Sequence, residues 1–250
     1  MNDGLSGQDI AAMTEAGKVA ASILKRLGKI IAPGMATKDI ENSFDMYLSQ
    51  YPGMESAFKG FMGYPASLCV SINEEVIHGI PSSARIIKDG DSVSIDLGIK
   101  YKGIFVDTAH TYLVGKASRL ARKLVKATLR ALHEGIKKAK VGARVGDISF
   151  TIQNFIENRG FSVIRKFVGH GIGKRLHEVP EIPNFGKMGE GQELCEGMAI
   201  AIEPMVSSGG FEVEIANDGW TARTKDRSLS AHFEHTVLIT DTGPFILTRL

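Results

Sequence analysis

Apolar residues recur with a helical period from the start of the chain. Ile10, Met13, Ala20, Leu24, Leu27 and Ile31 fall on one face of a stretch running from 7 to 31. Ser6 stands where an N-cap belongs, and Pro33-Gly34 closes the stretch. Gly17 lies on the same apolar face, where a missing side chain costs helix propensity but permits close packing. Thr37 is expected to cap a second helix carrying Ile40, Phe44, Tyr47 and Leu48, which runs out near Tyr51-Pro52-Gly53. Apolar runs from Leu68 to Ile77 and from Ser92 to Asp107 then predict strands.

The same order of elements returns further along. A helix expected at about 118 to 139 leads to Val141-Gly142, and Asp147 is expected to cap a helix carrying Ile148, Ile152, Phe155 and Ile156. Asp39-Ile40 matches Asp147-Ile148 at an offset of 108 residues, and Asp89 to Asp96 resembles Glu196 to Glu203 at an offset of 107. Two matches at nearly one spacing predict a duplicated helix-helix-strand-strand unit. The fold class that follows is α/β (α+β): two related halves, about 9–110 and 117–240, whose strands share a central, mainly antiparallel sheet covered by helices on the outside. The whole of 1–250 reads as a single catalytic domain.

Composition narrows the class. At 250 residues and 43% hydrophobic content the chain can bury a full core, and a net charge of +2 is too mild to make its whole surface a nucleic-acid binder. No window of about 18 apolar residues occurs, and Met1 to Asp9 lacks the basic start and apolar run of a signal peptide, which predicts a cytoplasmic protein with no membrane partner. Cys69 and Cys195 are too few for a disulfide scaffold and have no CxxC partner for zinc. A metal here must be held by oxygen and imidazole.

The acids fall into a pattern. Along Ser92 to Asp96 the side chains alternate, so Val93 and Ile95 face one way and Ser92, Ser94 and Asp96 the other. The second half repeats this with Ile200 and Ile202 opposite Ala199, Ala201 and Glu203. Each acid is expected to end a buried strand beside residues too small to fill space, leaving a cavity lined by carboxylates. A hairpin centred on Tyr101-Lys102 opposes Asp96 directly to Asp107, on one face. Glu234, in Phe233-Glu234-His235-Thr236, echoes Asp107-Thr108-Ala109-His110-Thr111. Four acids are thus expected to converge, and such a set repels itself unless protons or cations intervene. A proton-sharing pair is one solution; four acids with histidines nearby favour a metal. His170 lies among three glycines in Gly169-His170-Gly171-Ile172-Gly173, as expected where backbone approaches a bulky centre, and is the fifth candidate ligand. His177, seven residues on in Leu176-His177-Glu178, and His78, which ends the strand in Val76-Ile77-His78-Gly79, are each, taken alone, more often structural than catalytic. His110, His133 and His232 read as structural, and His235 as a group supporting the ligands.

These residues together resemble the type I methionine aminopeptidases, which have the pita-bread fold. The similarity runs over nearly the whole chain and rests on Ser71-Ile72-Asn73-Glu74 through His78-Gly79-Ile80-Pro81, Asp91 to Asp107, Gly169 to Gly173 with His177, Ile202-Glu203-Pro204, Asp218 to Ser228, and Glu234-His235-Thr236. With neither an N-terminal zinc-binding extension nor the large inserted subdomain of type II enzymes expected, the sequence resembles the short bacterial form. The resemblance implies removal of the initiator methionine from nascent proteins and peptides, with a small second residue preferred. It implies two divalent ions (Co, Mn, Fe or Zn) on Asp96, Asp107, His170, Glu203 and Glu234, with Asp107 and Glu234 shared between them. It further implies that His78 and His177 contact substrate, that Glu203 moves a proton, and that Phe58, Phe61, Tyr64, Cys69, Leu176 and Trp220 line the methionine pocket. Phe61 and Leu176 depart from the family's commoner Tyr and Phe. The rivals are another pita-bread peptidase, an X-Pro dipeptidase or aminopeptidase P-like enzyme, and a non-catalytic peptide-binding module. Those peptidases usually carry a long extra N-terminal domain, and the binding modules have lost ligands that this chain retains.

A basic stripe stands apart from this chemistry. Arg119, Arg122, Lys123, Lys126 and Arg130 fall on one side of the helix, opposite Leu120, Leu124, Ala127 and Ala131, and Lys116, Lys137, Lys138 and Lys140 extend it along 116–140. Two readings stay open: a solvated face, or docking of a monomeric enzyme on ribosomal RNA through phosphate contacts.

Overall fold

The computed structural model describes residues 4–249. Helix α1 spans Gly7–Ile30, α2 Thr37–Leu48, α3 Arg119–Ile136 and α4 Val145–Glu157. Ser6 caps α1 in a full capping box with Asp9, and Ser118 caps α3 by accepting from the Ala121 amide at 3.0 Å. The second helix of each half departs from the expected cap. Thr37 and Asp147 lie inside their helices, and the carboxylates of Asp39 and Asp147, both third in their helices, accept from the amides of Ala36 and Arg144 at 3.0 and 2.8 Å. The Thr37 hydroxyl instead exchanges hydrogen bonds with Ser82. One start device at matching positions is the duplication written in hydrogen bonds.

Among the described residues, nine strands form one antiparallel sheet: β1 Met54–Ser56, β2 Cys69–Ile72, β3 Ser92–Tyr101, β4 Ile104–Leu113, β5 Gly169–Gly171, β6 Glu178–Ile182, β7 Ala199–Ile202, β8 Glu234–Thr240 and β9 Gly243–Ile246. The order across it is β1-β3-β4-β8-β7-β5-β6, with β2 beside β3 and β9 beside β8. The two halves meet where β4 pairs with β8. Behind the first half, Val93, Ile95 and Leu97 bury against Met13, Leu24 and Leu27 of α1 and Ile40 and Phe44 of α2. Behind the second, Ile200, Ile202 and Val237 bury against α3 and α4 through Leu124, Ala131, Ile148 and Ile152. The helices thus cover one side of the sheet in each half, as the pattern predicts. Leu120 departs from it: the side chain is 47% exposed at the first turn of α3.

The β3–β4 hairpin corrects the expected register. The turn is Lys102-Gly103, both at positive φ (50° and 80°), the conformation whose twist suits a two-residue hairpin loop. Tyr101 therefore faces Ile104, Asp107 opposes Gly98, and Asp96 opposes Ala109. The displacement is two residues, an even number, so Asp96 and Asp107 keep a common face and stand diagonally. Nor does Asp96 end a strand: β3 runs on to Tyr101, and Asp96 lies between Ala109 of β4 and Cys69 of β2. Those two small neighbours open the space beside it.

Gly17 has the packing role expected of it. A Cβ there would lie 2.4 Å from the carbonyl oxygen of Leu247, whose amide is held by Thr236. Gly17→Ala is therefore expected to lower stability by about 1–3 kcal/mol in urea denaturation, despite alanine's better helix propensity. An unchanged or raised midpoint would contradict this packing.

Candidate functional site

Five consecutive neighbours in the sheet each bring one candidate ligand to the same side. Asp96 comes from β3, Asp107 from β4, Glu234 from β8, Glu203 from the residue after β7, and His170 from β5. In a flat sheet, strands spaced by about 4.8 Å would leave β4 and β5 roughly 14 Å apart. Yet one donor atom each from Asp107, His170 and Glu234 lies within 4.8 Å of the others. The sheet therefore curls around this point, and its concave face is the site.

All five side chains are buried. Burial is the largest cause holding each of the four carboxyls well above the ordinary carboxylate range, and the neighbouring acids add to it: Glu203 on Asp96, Asp96 on Asp107, Asp107 on Glu203, and Asp107, Glu203 and Asp96 on Glu234. Among the described residues no Lys or Arg forms an ion pair with any of them. Two of their oxygens, Asp96 Oδ1 and Glu234 Oε1, are buried without a hydrogen-bond partner, an arrangement that native interiors avoid. His170 is prepared differently. Its Nδ1 lies 2.9 Å from the Gly171 carbonyl, which can only accept, so Nδ1 carries the proton and Nε2 a free lone pair. Burial, then the adjacent His177, lowers its pKa to about 4, which leaves the ring neutral near pH 7.

The glycines around His170 serve the sheet, which corrects the reason expected for them. A Cβ at Gly169 would lie 2.3 Å from the Ala201 carbonyl oxygen, and one at Gly171 2.3 Å from that of Val179. They let β7 and β6 close on β5 from either side. Gly98, opposite Asp107, makes room in the same way for the Phe58 ring, 2.7 Å from its would-be Cβ.

A cavity of about 560 Å³ opens from the cluster, and all thirteen residues singled out in the sequence line it. Phe58, Tyr64, Cys69 and Leu176 are buried walls, Trp220 is half-buried, and Phe61 stands at the rim, 36% exposed. Tyr64 meets Trp220 edge-on at 5.1 Å and is fixed by donating from its hydroxyl to the Gly79 carbonyl at 3.1 Å. His177 packs edge-on against His170 at 4.3 Å and Phe61 at 5.2 Å, and His78 against Phe167 at 5.5 Å. His78 sits just past the short strand Glu75–Ile77 at φ 62°, a left-handed conformation that is rare for a residue with a side chain. Burial, then His177, lowers the pKa of His78 to about 4, and burial lowers that of His177.

Two histidines differ from expectation. His235 does not support the cluster: with Glu234 facing the cavity, its neighbour on β8 points to the other side, where its Nδ1 meets the Thr248 hydroxyl at 3.0 Å and its ring faces His133. His232, read as structural, lies instead with its Nε2 3.3 Å from Glu203 Oε2. The cavity also takes in Met62, Ile77, Phe167 and Val179, which carried no chemical signal in the sequence.

The sequence pattern of metallopeptidase family M24 matches residues 11–241. A methionine aminopeptidase of Clostridium acetobutylicum is 46% identical over 240 residues, covering 96% of each chain. The crystal structure of a methionine aminopeptidase from Thermotoga maritima superposes with a TM-score of 0.96 at 46% identity, covering 98% of each chain. A prolidase from Pyrococcus horikoshii shares the fold at 22% identity and a TM-score of 0.79, with 63% of its length covered. The antiparallel sheet, curled around buried acids and backed by paired helices, is the pita-bread fold, and the chain belongs to metallopeptidase family M24 and, within it, to the methionine aminopeptidases.

Proposed function

We propose that this chain removes the N-terminal methionine from nascent proteins and peptides whose second residue is small, acting as one catalytic domain. The observation that carries this reading is the burial of Asp96, Asp107, His170, Glu203 and Glu234 in the lining of one cavity, with donor atoms of Asp107, His170 and Glu234 within 4.8 Å of one another. The donors fit divalent ions: oxygen and neutral imidazole only, two buried oxygens without partners, and no cationic side chain paired with them among the described residues. In this reading the five would hold two divalent ions, of Co, Mn, Fe or Zn. Bound there, such ions act as Lewis acids and lower the pKa of water toward neutrality.

The chain's own groups then divide the remaining work. A methionine side chain, flexible and apolar, suits the wall of Phe58, Phe61, Tyr64, Cys69, Leu176 and Trp220, with aromatic faces and edges for its sulfur. Cys69 takes part as an apolar thiol, since burial pushes its pKa well above the ordinary value. Glu203 takes the proton from the attacking water on a carboxylate oxygen and passes it to the departing nitrogen. His177 donates a ring N–H to the scissile carbonyl oxygen as negative charge develops there, and His78 steadies the peptide nitrogen. The free α-amine of the substrate would lie toward the carboxylate end of the cavity, so blocked N-termini are expected not to be cut.

The prolidase reading predicts a different substrate, which makes the choice measurable. Hydrolysis of a Met-Ala-Ser peptide is expected to stop on chelation, to return with Co²⁺ or Mn²⁺, and to exceed hydrolysis of an X-Pro peptide; activity on the X-Pro peptide alone reverses the assignment. His177→Ala is expected to lower kcat by roughly 10²–10³-fold with metal content unchanged. Unaltered turnover in that variant removes the role given to His177.

No helix among the described residues is long and apolar enough to cross a membrane, and we read the enzyme as a cytoplasmic monomer. Its basic stripe supports a ribosomal partner: Arg119, Arg122, Lys123, Lys126 and Arg130 are all exposed along α3, and none is in an ion pair among the described residues. Co-sedimentation with ribosomes is expected at low salt and lost at high salt. Reversing the charge of Arg122, Lys123 and Lys126 should abolish it, and binding indifferent to both would leave the stripe a solvated face.

A further inference from the structure

The two halves also repeat each other in their central strands. An offset of 125 residues aligns Asp107-Thr108-Ala109-His110-Thr111 with His232-Phe233-Glu234-His235-Thr236. The hydrogen bonds obey the same relation. Thr236 Oγ1 accepts from the Asp107 amide at 2.9 Å and donates to the Asp107 carbonyl at 2.8 Å, while Thr111 Oγ1 accepts from the His232 amide at 2.9 Å and donates to the His232 carbonyl at 2.7 Å. His232 is thus the counterpart, in the second half, of the acid Asp107 in the first. Its neighbour corresponds too: Asp96 stands diagonally from Asp107 on the paired strand, and His232 lies against Glu203, the equivalent of Asp96.

The His232 ring is 1% exposed, and neither of its nitrogens has a hydrogen-bond partner. A neutral imidazole carries one N–H and one lone pair, and burying both unused is costly. Glu203 Oε2, at 3.3 Å, is within reach, and a modest rotation of ring or carboxylate aligns the pair. The other oxygen of Glu203, Oε1, lies 3.7 Å from His170 Nε2, on the side of the ligand cluster. Thr111 in turn meets the Ser94 hydroxyl at 2.8 Å, so the His232 backbone is fixed to β3 as well as to β4.

We propose that His232 is a positioning residue: its Nε2–H holds Glu203 Oε2, which turns Oε1 toward the metal-binding atoms. It acts through Glu203 and not on the substrate. The inference rests on the role given to Glu203 above, and its test includes a measurement that does not need turnover.

Three variants separate the outcomes. His232→Leu fills the space without a donor, His232→Gln retains an N–H of similar reach, and His232→Asn carries a donor too short to reach Glu203. Mn²⁺ affinity is read by calorimetry on metal-stripped protein, and kcat and KM on Met-Ala-Ser with Mn²⁺ restored. Loss of a group that orients a ligand is expected to weaken Mn²⁺ binding and lower kcat by about 10–100-fold in the Leu and Asn variants, with Gln within about threefold of the parent. KM is expected to stay nearly constant throughout. A packing role would lower the melting temperature and leave Mn²⁺ affinity and kcat unchanged, which overturns the proposal. Equal impairment of Gln and Asn at an intact melting temperature also overturns it, because the imidazole itself would then be required. Should Leu not fold, the contrast of Asn with Gln decides. A parent with no activity on Met-Ala-Ser would remove the peptidase reading, while the Mn²⁺ comparison still decides the role of His232.

Discussion

Acids that repel one another in a dry cavity are the constraint around which this molecule is built. Two carboxylates about 4.8 Å apart at an effective dielectric near 20 repel by roughly 3–4 kcal/mol, more than the burial of one large apolar side chain returns. Asp96, Asp107, Glu203 and Glu234 nonetheless share one enclosure. Such a set persists only on a rigid frame, and the frame is a sheet whose concave side carries the acids and whose convex side is sealed by α1 to α4. The small residues Ala109 and Cys69 flanking Asp96 leave the space that the charges surround, and Gly98 opposite Asp107 admits the Phe58 ring that walls it.

Duplication explains how one chain assembles such a site. Each half supplies an acid from a buried strand, Asp96 or Glu203, and the equivalent strands β4 and β8 meet at the join between the halves. There, two threonine hydroxyls, each both donating and accepting, fix Asp107 and His232 across the join. The halves differ in chemistry. Where the first has Ala109 the second has Glu234, and where the first has Asp107 the second has His232. The resulting site is asymmetric, as a reaction with distinct attacking and leaving groups requires.

Much of this was legible in the residues. The capping of α1 by Ser6, the packing of Gly17, the two-half architecture and the thirteen cavity residues follow from periodicity, from repeats and from family resemblance. What was less legible depends on geometry that a linear pattern does not carry. The turn at Lys102-Gly103 was displaced by one position because both residues take left-handed φ, which only Gly advertises. Asp39 and Asp147 lie within their helices because a carboxylate at the third helical position reaches back to the amide of the residue before the helix. His232 hid behind the neighbouring Glu234: the echo of Asp107-Thr108-Ala109-His110-Thr111 is strongest at His235-Thr236, and only the full five-residue alignment brings His232 opposite Asp107. His235 was drawn toward the cluster by adjacency, although strand alternation turns it away.

The join between β4 and β8 has a mechanical consequence. Asp96 and Asp107 belong to one half and His170, Glu203 and Glu234 to the other, so whatever occupies the cluster is gripped from both sides of a seam that is also held by a short run of backbone pairing and by threonine hydroxyls. An occupant of that kind works as a clasp. Emptying the site would then take away one of the ties across the seam, so loss of the occupant would weaken the join as well as the chemistry.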